Sequence, residues 1–204
     1  MLDRMVNSAV FRFAMPKAVR ITSRSSSITN SFVNGIIPAI PPTKAQVEEA
    51  LLVLDMEDIV VCAYCGDPGT EWDHLRPLVV DKQPTGYISE IQNLVPACGK
   101  CNQSKGNKPW RIWMFSSARL SPATRGVSRL EERADRLAAY ESWGTPTFID
   151  FASLAGRELW ADHWRNHATI LAAMRHAELT ADLIRLKVAS SRAGNESPAV
   201  FPME

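Results

Sequence analysis

The sequence predicts an α+β protein in which helices flank a short segment of strands and turns. Apolar residues recur at helical spacing before residue 57 and after residue 128. Residues 59–109 instead contain short apolar runs, several turn signals and all four cysteines. With 204 residues, 46% hydrophobic and 22% charged, the chain is long enough to bury a core of its own.

The first clear helix is predicted over about residues 44–56, with Thr43 and Gln46 forming a capping box at its start. Before it, the chain is rich in Ser and Pro, and up to Arg24 its basic residues outnumber its acidic residues five to one. Such a composition is typical either of a transit peptide or of a basic arm. The predicted divisions are an arm at 1–42, a core at 43–115, a helical region at 116–189 and a flexible tail at 190–204.

Two helices are predicted in the C-terminal half. Ser128 and Glu131 form a second predicted capping box, and a longer helix is predicted from about Phe151. His163 and His167 lie four residues apart on this helix, as zinc ligands can. They share a stripe of Trp and Leu residues and lack an evident third ligand, so a packed or interface stripe is favoured over a metal site.

No stretch of the sequence approaches the roughly eighteen uninterrupted apolar residues that a membrane span needs. A secretory signal pattern is also missing from the sequence. We therefore expect a soluble protein of the cytoplasm without a membrane partner.

The charge is unevenly distributed, although the formal net charge is only +1. Between Ile91 and Leu130 there are seven Lys and Arg residues and no Asp or Glu. This local excess indicates either a surface that meets phosphates or a solvated basic face.

The four cysteines form two C-x2-C pairs with 32 residues between them. Two such pairs supply the four thiolates that tetrahedral zinc takes in structural sites. Two disulfides or a thioredoxin-like redox pair are the alternatives, but disulfides need an oxidising compartment and a redox pair does not explain the second knuckle. The predicted structural zinc ligands are Cys62, Cys65, Cys98 and Cys101.

Between and after these knuckles lie an Asp-His pair, an Asn and a Cys-Asn pair, namely Asp73-His74, Asn93 and Cys101-Asn102. The segment from Cys62 to Lys108 resembles the HNH nuclease motif in its four-cysteine form. The third motif position is Asn102 where the name of the family has His. An amide oxygen can still bind a hard cation, so this substitution keeps the chemistry.

The resemblance implies a zinc-held ββα-metal unit that hydrolyses phosphodiester bonds. His74 would be the base that takes a proton from water, since a neutral imidazole can do so at physiological pH. Asp73 and Asn102 would bind a catalytic Mg2+ or Mn2+ ion. Asn93 would fix the loop and orient the histidine by hydrogen bonding.

The resemblance also implies that DNA, double-stranded in this interpretation, is the partner. Trp110 and Trp113 could stack on bases, but their apolar neighbours favour the core. The basic residues expected to contact DNA are Arg76, Lys100, Lys105, Lys108 and Arg111.

The resulting hypothesis is a metal-dependent endonuclease of a bacterial or phage-infected cell, with restriction or another defence role. One active site cuts one strand, so a double-strand break needs a homodimer or two successive events. The alternative is a zinc-ribbon module that binds nucleic acid without cutting it, and an RNA-directed nuclease is a further one. His74 favours the nuclease, because a binding module has no use for a neutral imidazole beside a metal-binding Asp.

Overall fold

The computed structural model describes residues 18–69 and 71–194, and it combines helices with short strands, as the predicted α+β class requires. The described residues form two compact units: one lies within residues 28–165, and the other combines residues 18–27 with residues 166–194. Arg4, Arg12 and Lys17 of the predicted arm and residues 195–204 of the predicted tail lie outside the described residues. No helix within the described ranges combines the length and apolar character that crossing a membrane requires.

The described residues form seven α-helices, four strands and two 3-10 turns. The helices are α1 (Ser25–Asn34), α2 (Lys44–Val53), α3 (Gly99–Lys105), α4 (Trp110–Met114), α5 (Leu130–Trp143), α6 (Phe151–Ala155) and α7 (Arg157–Gly194). The strands are β1 (Glu71–His74), β2 (Val79–Val80), β3 (Gln83–Pro84) and β4 (Leu94–Ala97), and the 3-10 turns are Ile21–Arg24 and Ile91–Asn93.

Strands β1 and β4 pair in antiparallel fashion, with Glu71 opposite Ala97 and His74 opposite Leu94. Helix α3 follows β4 directly, so that β1, β4 and α3 form a ββα unit. The short hairpin of β2 and β3 lies between them in the chain. Its two-residue turn is Asp81-Lys82, and both residues have positive φ, which matches the right-handed twist of the strands.

The main core of the larger unit surrounds the cysteines. Trp110 is 5% exposed and Trp113 is fully buried, which confirms their assignment to the core rather than to base stacking. Helix α5 contributes Leu137 and Tyr140, and the Tyr140 hydroxyl donates to the Leu94 carbonyl at 2.8 Å. Burial of these large side chains stabilises β4, the strand that leads into the second knuckle.

The predicted helix starts are right at Thr43 and wrong at Ser128. The Thr43 side chain accepts from the Gln46 amide, and the reciprocal bond of the capping box is also present. Before α5 the N-cap is Arg129, in the left-handed conformation (φ 56°) and without a side-chain cap bond. A capping side chain must come from the residue next to the first helical one, so Ser128 lies one position too early.

Two further expectations need correction. The arm at 1–42 contains α1, whose Ser-rich sequence carries no strong helix signal and which buries Thr29 and Val33. Packing here overrides a weak local propensity. The helix predicted from Phe151 breaks at Gly156, where φ is +78°, and then continues to Gly194, so the first residues of the predicted tail are helical.

In the smaller unit, the described ranges 18–27 and 166–194 are joined by Glu178, a buried residue of α7. Its carboxylate accepts from the Thr22 amide at 3.1 Å and pairs with Arg185 at 2.7 Å. The hydrogen bond from Arg185, followed by the one from Thr22, lowers the pKa of Glu178 to about 2. The carboxylate is therefore ionised near neutral pH.

Candidate active site and zinc site

The four cysteines meet at one point, as predicted. All four are buried and unpaired by disulfides, and their sulfur atoms lie within 4.8 Å of one another. The Sγ atoms of Cys65 and Cys98 are 3.7 Å apart. Tetrahedral zinc with bonds of about 2.3 Å spaces its sulfurs by about 3.8 Å, so the cluster fits a structural zinc ion.

Arg125 donates a hydrogen bond to the Cys101 sulfur at 3.3 Å and another to Asp67 at 2.8 Å. Four thiolates around Zn2+ carry a net charge of about −2, which a neighbouring guanidinium offsets. In the sequence, Arg125 stands out only as one of the basic residues after the second knuckle.

We predict that Arg125→Met weakens zinc binding about 10- to 100-fold, because the variant loses the charge that faces the thiolates. Competition with a chromogenic chelator measures the affinity. Arg119→Met is the matched control, since Arg119 is exposed and belongs to the same basic stretch. Equal affinities in the two variants would contradict the role of Arg125.

His74 is the last residue of β1 and lines an open cleft of about 360 Å³. Its Nε2 atom lies 2.7 Å from the Ser89 hydroxyl. Burial, with a smaller contribution from the charge of Lys105, lowers the pKa of His74 to about 4, so the imidazole is neutral near pH 7. With the proton on Nε2 and donated to Ser89, the Nδ1 atom is the acceptor that can take a proton.

Asp73 precedes His74 and is only 4% exposed, yet it lines the same cleft. Its Oδ2 atom accepts from the Tyr64 hydroxyl at 2.6 Å and pairs with the Lys105 ammonium at 3.1 Å. Burial raises the pKa of Asp73, and the charge of Lys105 opposes that shift. Burial also raises the pKa of Tyr64 well above its ordinary value, so its hydroxyl remains a donor. Neither side-chain contact uses Oδ1, the other carboxylate oxygen.

Asn102 lies in α3 directly after Cys101 and lines the cleft with Asp73 and His74. Its amide nitrogen donates to Glu71 at 2.5 Å. Because a carboxylate only accepts, this bond fixes which end of the amide faces Glu71 and leaves the Oδ1 oxygen for another partner.

Asn93 is fully buried and holds the loop that follows β1. Its oxygen accepts from the Arg76 amide at 2.8 Å, and its nitrogen donates to the Arg76 carbonyl at 3.2 Å and the Ile88 carbonyl at 3.3 Å. These bonds hold the loop after β1, and the ring of His74 bonds to Ser89. Orientation of the histidine by Asn93 stays a prediction.

Two of the five basic residues expected on the DNA-binding surface point inward. Lys105 is fully buried, because its ammonium is held by Asp73 and by the His74 carbonyl at 2.6 Å. The Arg76 side chain is 15% exposed and donates to the Glu141 carbonyl at 2.8 Å. Lys100, Lys108 and Arg111 are exposed. The expectation for Lys105 is thus corrected to an internal ion pair, and Arg76 is engaged within the protein.

We expect Lys105→Met to lower the free energy of unfolding by about 3–5 kcal/mol, because the change leaves the buried carboxylate of Asp73 without its counter-charge. Urea denaturation of the purified protein measures this difference. Lys100→Met, at an exposed lysine of the same helix, is the control and should change stability by less than about 0.5 kcal/mol. A Lys105→Met variant as stable as the control would argue against the ion pair.

Three residues of this site were not identified from the sequence. Glu71 lies two residues before Asp73 on β1, and the alternation of side chains along a strand is a signal that would relate it to the site. Tyr64 lies between the two cysteines of the first knuckle, where its size is the only hint. Ser89 carries no local signal, because its contact with His74 depends on the fold.

His163 packs in the larger unit, as the stripe pattern favoured. Its ring contacts the rings of Trp160 and Trp164, with centroids 6.4 and 5.2 Å away, and its Nε2 atom is 3.1 Å from the Phe32 carbonyl. Within the described ranges, the four cysteines are the cluster of three or more His, Cys, Asp or Glu residues that could hold a metal, and His163 does not belong to it.

The HNH endonuclease family model matches residues 62–108. The chain is also 46% identical over 56 residues to the CRISPR-associated endonuclease Cas9 of Corynebacterium diphtheriae (strain ATCC 700971 / NCTC 13129 / Biotype gravis). That alignment covers 26% of this chain and 5% of the relative's length. No solved structure matches the chain. The match coincides with the ββα unit and the four converging thiols, and residues 62–108 are therefore an HNH endonuclease domain of the four-cysteine type.

Proposed function

We propose that the protein is a metal-dependent endonuclease that hydrolyses phosphodiester bonds of DNA. The observation that carries this proposal is the convergence of His74, Asp73 and Asn102 on one cleft. An imidazole, a carboxylate and an amide are the groups that water activation and binding of a hard cation require.

His74 is the general base in this proposal. Its Nδ1 atom takes a proton from the attacking water, while the bond from Nε2 to Ser89 holds the ring in place. A base positioned in this way contributes about 100- to 10,000-fold to the rate. The neutral state of the buried imidazole keeps it ready to accept the proton.

Asp73 and Asn102 are the proposed protein ligands of the catalytic cation. When bound, Mg2+ or Mn2+ supplies stabilisation of the negative charge that develops on the phosphate and on the leaving oxygen. Asp73 offers Oδ1, because Tyr64 and Lys105 occupy Oδ2. Asn102 offers its amide oxygen, because its nitrogen is held by Glu71. Both ligands are oriented before substrate arrives.

The proposed phosphate contacts are three exposed residues: Lys100 lies within the second knuckle, and Lys108 and Arg111 follow it. We further propose that the substrate is double-stranded DNA and that the protein acts in restriction or another defence role in the cytoplasm. A homodimer is one route to a double-strand break.

A zinc-ribbon module that binds without cutting is the main rival. The contacts of Asp73 and His74 favour the nuclease over the binding module. A module that only binds does not need a buried Asp73, held by two partners, beside a neutral His74. A binding module would need only the four cysteines, which are sufficient to hold a structural zinc ion.

The test is incubation of purified, zinc-loaded protein with supercoiled plasmid in Mg2+ or Mn2+, over several pH values and with a chelator control for the added ion. Conversion to nicked or linear DNA that depends on the added ion is the expected result. Plasmid that is retarded in a gel but stays supercoiled under every condition would favour the binding module. If structured RNA is cut in a parallel assay and DNA is not, RNA replaces DNA as the proposed substrate.

A further inference from the structure

One wall of the catalytic cleft comes from α1, outside the HNH domain. Asn30 and Asn34 lie one helical turn apart on α1, are exposed, and line the cleft together with Asp73, His74 and Asn102. Side chains four residues apart share one face of a helix, so the two amides form a continuous polar surface. Neither residue is among those assigned to the active site above.

The opposite side of α1 fixes this wall in place. Val33 is fully buried and packs with Leu78 and Val79 at the start of the hairpin. The chain after α1 is also tied to the site, because the Ile40 amide donates to the Ser89 carbonyl at 2.7 Å and the Ser89 amide donates to the Pro38 carbonyl at 3.2 Å. The same Ser89 bonds the ring of His74. Ser89 therefore links the chain after α1 to His74, the proposed base, and fixes the position of one relative to the other.

The two amides have unused hydrogen-bonding capacity. Within residues 18–69 and 71–194, no hydrogen bond or ion pair involves the side chain of Asn30 or Asn34. Helix α1 carries no charged residue, so it neither attracts nor repels a phosphate over long range. Asn107, just after α3, adds another exposed amide to the cleft. The cleft therefore contains amide side chains, which can both donate and accept hydrogen bonds, together with the carboxylate of Asp73.

We propose that Asn30 and Asn34 bind the DNA strand beside the scissile phosphate and position it against His74. The inference rests on the proposed nuclease function and adds a substrate-contacting surface that the HNH domain does not contain. An asparagine amide donates to phosphate oxygens, and it can also donate to and accept from a base edge. The two residues act in binding and positioning, with no part in proton transfer.

Binding is measured with a fluorescent DNA duplex and the His74→Ala protein, which should bind without cutting. In that background, the Asn30→Ala/Asn34→Ala double change should weaken binding about tenfold or more, as expected for the loss of one or two hydrogen bonds to a charged group. Gln103→Ala, at an exposed amide of α3 outside the cleft, is the matched control. Alanine favours helix, so the fold should survive the changes.

Cleavage kinetics in the chain with His74 intact give the second readout. The double alanine variant should raise KM about tenfold, with kcat within about threefold of wild type, and zinc content should be unchanged. Asn30→Asp/Asn34→Asp should bind more weakly than the alanine pair, and the difference between the two variants should shrink as salt is raised, because salt screens the repulsion between the new carboxylates and the phosphates. A variant that was merely misfolded would lose kcat and zinc together.

The inference is overturned if the wild-type protein cleaves DNA while both double variants keep an affinity and a KM within twofold of wild type. The proposed nuclease function would then still stand. Absence of any cleavage by the wild-type protein would instead overturn the proposed function, and the inference with it. A loss of kcat at unchanged KM and affinity would also count against a binding role.

Discussion

Replacing His74 by alanine is expected to lower the rate of DNA cleavage about 100- to 10,000-fold, because the variant lacks the general base that we propose for water activation. His74 lies at the end of β1, and its side chain bonds to Ser89 at the edge of the cleft, so its removal leaves the core intact. Zinc content and the thermal unfolding midpoint should therefore remain close to wild type. Single-turnover cleavage of a labelled duplex measures the rate.

His176→Ala is the matched control, since His176 is an exposed histidine of α7. It should cut at the wild-type rate. Retention of full activity by His74→Ala would remove the proposed base, and unfolding of that variant would show that His74 is a structural residue instead.

Cys98→Ser is expected to release zinc and unfold the larger unit. Each of the four cysteines belongs to the main core, and metal binding in small domains of this kind is worth about 10–16 kcal/mol of folding free energy. A hydroxyl is a much poorer zinc ligand than a thiolate, so most of this stabilisation should be lost. Zinc analysis and circular dichroism of the purified variant measure the two effects.

Chelator treatment of the wild-type protein provides the control for Cys98→Ser. Loss of structure on chelation, with recovery when zinc is returned, should reproduce the effect of the variant without a change in sequence. A Cys98→Ser protein that is well folded and free of zinc would contradict the structural role of the cluster.

The HNH domain was predictable because its signals are local. A C-x2-C pair fixes two ligands within one turn, and the order of Asp-His, Asn and Cys-Asn is specific to one kind of site. The capping box at Thr43 is equally local, and it too is present. In these places the chemistry depends on residues that are close together in the chain.

The remaining features depend on contacts between distant parts of the chain. Lys105 has the same charge as the exposed lysines near it, and only the fold reveals that it is paired with Asp73. Helix α1 has few sequence signals of its own, and it is stabilised by packing of Val33 on the hairpin. Ser89 reaches His74 across a loop. A sequence pattern does not contain these relations, because tertiary packing decides them.

The hydroxyl of Tyr64 has a consequence for how this domain can vary. Tyr64 is both a spacer residue between Cys62 and Cys65 and a direct partner of Asp73. An insertion in that spacer would displace a thiol and withdraw the hydroxyl from the carboxylate in one step. The thiol cluster and the orientation of Asp73 therefore cannot change independently, because one short segment serves both.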